Sequence, residues 1–96
     1  MPADALPPDV YAVLDQLLTE AGRAVARGDH ETASSAVDSA ATVTENKVPP
    51  GPQRRLLEHC CKTVTDLLEA EDTDAALIRE YLRATSERLV VEGGSS

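Results

Sequence analysis

Three of the four residues from 49 to 52 are proline, in the run Val48-Pro49-Pro50-Gly51-Pro52. Proline has no amide hydrogen to donate and its ring collides with the turn before it, so no helix continues through this segment. The chain is thereby cut into two halves, and each half shows two stretches of helical periodicity. In the first, Tyr11, Leu14, Leu18, Ala21 and Val25 recur at spacings of three and four and predict a helix over 8–27. Asp9 puts negative charge in its first turn and Gly28 marks its end. Asp29 is a good N-cap for a second helix over 29–45, whose apolar face is Ala33, Ala36, Val37, Ala40 and Val43. Gly22 falls between Leu18 and Val25, and its missing side chain is expected to let the alanine face of the second helix come close.

Beyond the prolines, Pro52 suits the first position of a third helix over 52–70, with Leu57, Cys60, Cys61, Val64, Leu67 and Leu68 turned inward. A fourth helix is expected over 73–91, starting near Asp72 or Thr73. It carries Ala76, Leu77, Ile78, Tyr81, Leu82, Thr85 and Leu89, with Gly93-Gly94 as its stop. The expected fold class is all-α: four helices as two antiparallel αα-hairpins joined by the Pro-rich loop, packed as a small helical bundle. Residues 1–92 are expected to form one domain, with 93–96 as a flexible tail. A chain of 96 residues buries about 60–65% of the surface its unfolded form exposes.

That burial is achieved with few large side chains. Leu, Ile and Val number 21 of the 96 residues and there is no Phe or Trp, only just above the roughly 20% below which a highly charged chain stays disordered. Seventeen acidic residues oppose nine basic ones, of which only Lys47 and Lys62 are lysine, for a net charge of −8. Such a surface stays hydrated where salt screens the charges and repels itself where salt is low. The composition resembles that of small acidic helical proteins of unknown function from haloarchaea, and the resemblance implies an archaeal protein adapted to high salt. No apolar run approaches the roughly 18 residues that span a bilayer, and Met1–Pro8 lacks the basic and apolar regions of a signal peptide. A cytoplasmic location with no membrane association is expected.

Ala24, Gly28, Asp29, Ala33 and Ala40 together carry a further resemblance. They resemble the helical hairpin of tetratricopeptide repeats, in which Gly-Asp opens the turn and two alanines seven apart seat the second helix on the first. The resemblance covers about 35 residues and implies a surface that holds another protein. The corresponding hairpin of the second half, around Ala76, follows after 43 residues rather than the family's 34.

Charge is distributed unevenly. Residues 1–45 hold eight acidic and two basic side chains and residues 66–96 hold eight and three, whereas residues 46–65 carry Lys47, Arg54, Arg55 and Lys62 against Glu58 alone. One reading is internal neutralisation, including a Glu58–Lys62 pair one helical turn apart. The other is a docking point for an acidic protein partner or a phosphate, since the planar guanidinium of Arg binds either group in bidentate fashion. Lys47, Arg54, Arg55 and Lys62 are the candidate partner-binding residues. Nucleic acid is disfavoured as a partner by the pI of about 4.5 and by aromatics limited to Tyr11 and Tyr81, both at core spacing. Self-association into a homo-oligomer is also expected, because a lean core gains from burying more apolar surface.

Arg54, four intervening residues and His59 resemble the active motif of HEPN ribonucleases. That resemblance implies an alternative in which Arg54 stabilises phosphate charge and His59 moves a proton across a dimer. Cys60 and Cys61 point about 100° apart on a helix and do not converge on one tetrahedral ion. They are expected to be buried free thiols, and no metal or cofactor is expected. The reading favoured by these residues is a small non-catalytic adaptor or regulatory domain. Its halophilic part has a direct check: circular dichroism should show helix content falling markedly as salt drops from molar to millimolar, and an unchanged spectrum would remove it.

Overall fold

The computed structural model describes residues 6–70 and 73–89. Four α-helices follow one another: α1 (Pro8–Ala26), α2 (His30–Lys47), α3 (Pro52–Glu69) and α4 (Ala75–Glu87). Each packs on its neighbours in sequence, and α1 also packs on α4, so the helices close a ring with no direct packing across its diagonals. The α1–α2 packing is the most extensive and α3–α4 the least. No helix among the described residues is long and apolar enough to cross a membrane.

The helix ends have local causes. Gly28 takes φ 76°, a left-handed conformation that side chains disfavour, and closes α1. Asp29 then caps α2, its Oδ1 accepting from the Thr32 amide at 3.0 Å. Hydrogen bonding from Thr32, through side chain and backbone, holds the Asp29 carboxyl below its ordinary value, with a smaller contribution from nearby Arg27. Pro8 and Pro52 occupy first-turn positions of α1 and α3, where a missing amide hydrogen costs nothing. At α4 the helix begins at Ala75, later than the expected 73, because the Asp74 carboxylate caps the Ala76 amide at 2.9 Å. It ends at Glu87 rather than running to 91. The expected Gly93-Gly94 stop lies outside the described residues.

The core consists of Leu14, Leu18, Ala21, Ala24 and Val25 from α1 and Ala33, Ala36, Val37 and Ala40 from α2. Leu57, Cys60, Cys61 and Val64 from α3 and Ile78 and Leu82 from α4 complete its centre, with Leu89 at its edge. Leu6 and Val48, both outside the helices, are buried as well. Tyr11, Val43, Leu67, Leu68 and Tyr81 lie at its margin, partly buried. Of the residues α4 carries, Ala76 and Leu77 in its first turn are exposed, Leu77 by 55%. Two buried threonines stand among the apolar side chains. Thr44 Oγ1 donates to the Ala40 carbonyl at 2.8 Å and Thr85 Oγ1 to the Tyr81 carbonyl at 3.0 Å, so each hydroxyl is satisfied within its own helix.

Gly22 does not serve the α1–α2 contact expected of it. It faces α4: a Cβ built there would meet Leu82 Cδ1 at 4.0 Å, ordinary van der Waals contact. The small residues α1 buries completely are Ala21 and Ala24 instead.

Two outcomes follow from this packing. Leu57 is fully buried, and Leu57→Ala should lower unfolding free energy by about 2–5 kcal/mol in denaturant titration, the usual cost of a cavity left in a core. Both cysteines are free and buried. Burial pushes the Cys61 thiol up to about 12 and raises Cys60 as well. Because the thiolate is the reactive form, alkylation of the folded protein near neutral pH should be slow and should follow unfolding, with both thiols labelled at once in denaturant.

Candidate functional site

The turn between α2 and α3 places three of the candidate partner-binding residues, Lys47, Arg54 and Arg55, at one end of the ring. Lys47 closes the last turn of α2, where a cation complements the helix dipole, and Val48 turns the chain inward. Gly51 precedes α3 without any side-chain cap, and the first turn of α3 contains no acidic residue. An uncapped helix start presents amide hydrogens and partial positive charge. Arg54 and Arg55 occupy that turn.

Their side chains have different roles. The Arg54 Nε donates to Glu58 Oε2 at 3.1 Å and its Nη1 to the Val48 carbonyl at 3.4 Å, so Arg54 clasps the turn to the helix behind it. Arg55 and Lys47 are exposed, with no hydrogen bond or ion pair among the described residues. Lys62 lies seven residues beyond Arg55, about 10 Å along the axis, and pairs with Asp66 at 3.5 Å. The expected Glu58–Lys62 pair does not form, since Arg54 takes Glu58. The four cations thus resolve into an exposed pair at the turn, a structural arginine beside it and a separate lysine on the flank. Exposed pairs such as Lys62–Asp66 are worth little in stability.

His59 is exposed on the same helix, with its ring 6.4 Å from that of Tyr81 and tilted by 48°. Five residues separate it from Arg54, a rotation of about 140° around an α-helix. Within one chain the two side chains therefore leave the helix in different directions, and the guanidinium is already occupied by Glu58 and Val48. No group of three or more His, Cys, Asp or Glu side chains arranged to hold a metal ion occurs among the described residues.

A second concave surface escaped the sequence. Between α1 and α4 runs an open groove of about 690 Å³. Leu18, Gly22 and Leu82 line it, Arg23 and Arg79 stand along it, and at its other end Ser86 donates its hydroxyl hydrogen to the Asp15 carboxylate. Reading it from sequence would have required knowing that α1 and α4 are neighbours. A smaller groove of about 310 Å³ between α2 and α3 is acidic, with Asp38, Glu45, Glu58 and Asp66 around Lys62.

Comparison with known proteins places the chain in a family defined by sequence. The model described as Domain of unknown function (DUF8101) matches residues 1–91. No curated protein and no solved structure matches the chain. A match over 91 of 96 residues takes in all four helices and the Pro-rich turn, and the chain is a member of the DUF8101 family.

Proposed function

We propose that this protein is a non-catalytic protein-interaction domain, an adaptor or regulatory subunit of a high-salt cytoplasm, that docks an acidic partner at the α2–α3 turn. The observation carrying this reading is the pair Lys47 and Arg55, both exposed and unpaired beside the uncapped start of α3 on a chain of net charge −8. Lys62 and Arg83 are answered by carboxylates one turn away, whereas Arg79 and Arg88, on and after α4, share the unpaired state of Lys47 and Arg55 away from the turn. A carboxylate or phosphate arriving at the turn meets two exposed cations, the charge that favours anion capture. Arg54 supports the site by fixing the turn, whereas Lys62, paired with Asp66, stands apart from it.

The test uses tagged protein recovered from its native cells with molar salt throughout. One protein should be recovered in salt-resistant form, and Lys47→Ala with Arg55→Ala should lose it while the circular dichroism spectrum stays the same. If that variant keeps every partner of the parent protein, the turn is not the docking point.

A further inference from the structure

The outer face of the α3–α4 pair is built differently from either groove. The charged side chains in the middle of these helices border the grooves instead: Glu58, Lys62 and Asp66 the one between α2 and α3, and the four charged residues from Arg79 to Glu87 the one between α1 and α4. What lies between is aromatic and apolar. The exposed His59 ring stands 6.4 Å from that of half-buried Tyr81, and Leu77 and Ala84 are exposed about one turn to either side of Tyr81. Leu77 and Val13 are the two large apolar side chains left exposed among the described residues.

Charge sits at the two ends of this face and differs in sign between them. The Asp15–Ser86 and Gly22–Leu82 approaches make α4 antiparallel to α1, and two short turns make α3 parallel to α1. The end of α4 therefore lies beside the start of α3. At that end Arg88 and Arg55 are exposed, and neither side chain has a hydrogen bond or ion pair among the described residues. At the other end Glu69 closes α3 and Asp74 caps α4, both exposed and without a cationic partner among the described residues.

The two ends are equally far from the middle. Arg88 and Asp74 are 14 residues apart with Tyr81 seven from each, two helical turns or about 10 Å on the same side of the helix. Arg55 and Glu69 are likewise 14 residues apart on α3. A face with opposite charges equidistant from its centre is complementary to itself. A twofold axis through Tyr81, running across the helices, sets Arg88 of each copy over Asp74 of the other and Leu77 of each over the small Ala84 of the other. A twofold axis running along the helices would instead set Arg88 over Arg55, which like charge opposes.

We propose that a second copy of this chain docks antiparallel on the outer α3–α4 face, forming an isologous dimer with reciprocal Arg88–Asp74 pairs around a centre of Tyr81 and Leu77. This goes beyond the docking read at the α2–α3 turn. Arg55 alone belongs to both surfaces, meeting Glu69 of the second copy, so the test leaves it unchanged. Molar salt screens the repulsion between two bodies of charge −8 beyond about 3 Å, which leaves apolar burial and the contact pairs to act.

Sedimentation equilibrium in molar salt should show monomer and dimer exchanging between about 10 µM and 1 mM, as suits an interface of the small class. Arg88→Asp and Asp74→Arg should each weaken the dimer at least tenfold by setting like charges in contact. An equimolar mixture of the two, each folded by circular dichroism, should regain the parent affinity, because every contact in the mixed pair joins Asp to Arg. Asp74→Asn keeps a competent helix cap and should still weaken the dimer. Leu77→Asp, on an exposed position, should abolish it with the helical spectrum intact, and Lys47→Ala should leave it unchanged. The proposal is overturned if the chain is monomeric at 1 mM, if Arg88→Asp or Leu77→Asp dimerises like the parent, or if the folded mixture dimerises no better than its components. It is also overturned if Lys47→Ala weakens the dimer as much as Arg88→Asp, since the second copy would then sit at the turn. Loss of the turn reading itself shows in partner recovery and leaves these outcomes untouched.

Discussion

Closing a ring of four helices around small side chains is the constraint on which the rest of this structure depends. There is no Phe or Trp to fill space, so the helices must come close enough for alanines and short branched residues to touch. α1 and α2 do this most completely, with Ala21, Ala24, Ala33 and Ala40 fully buried. Leu14, Leu57 and Ile78 supply the bulk at the centre. Leu6 and Val48 are recruited from outside the helices, as expected when apolar residues are scarce and each one buried matters. Even threonines enter this core, and they do so at little cost because each hydroxyl bonds to the carbonyl four residues earlier in its own helix.

The same economy shapes the surface. All four helices show conventional charge management: acidic residues near the starts of α1 and α2, and cation–carboxylate pairs spaced by a turn on α3 and α4. Against that background the cations without partners stand out; apart from Arg88 at the end of α4 they fall in two places. Lys47 and Arg55 meet at the α2–α3 turn because the prolines force the chain to reverse there. Arg23 and Arg79 meet across a groove because α1 and α4 are adjacent in the ring. Both surfaces are products of the helix order.

Much of this fold was legible in the residues themselves. The Pro-rich run, the Gly28-Asp29 turn and the three- and four-residue spacings predicted four helices, and the first three are found within two residues of the expected ends. Local chemistry decides such features: a proline without an amide hydrogen, a glycine free to take positive φ, a carboxylate in reach of an amide two or three residues on. The start of α4 was misplaced because Asp72, Thr73 and Asp74 are all competent caps and sequence alone does not rank them. Helix periodicity likewise identifies a stripe without saying how much of it a neighbour covers, and Leu77 is left exposed.

The candidate site divides the same way. Sequence located the basic cluster of Lys47, Arg54, Arg55 and Lys62, because charge can be counted along a chain. Only the tertiary structure showed that Arg54 is spent on Glu58 and Val48 and that Lys62 answers Asp66. Side-chain rotation and reach decide which of several carboxylates within a turn is taken, and one-dimensional spacing treats them alike. Gly22 is the clearest case. Its sequence context marked it as a place where something comes close, but whether that something was α2 or α4 depended on which face of α1 each neighbour covers. Residues near in sequence determined the helices and their ends. Contacts between residues some sixty positions apart, such as Gly22 and Leu82, determined the grooves, because these exist only once distant segments share an interface.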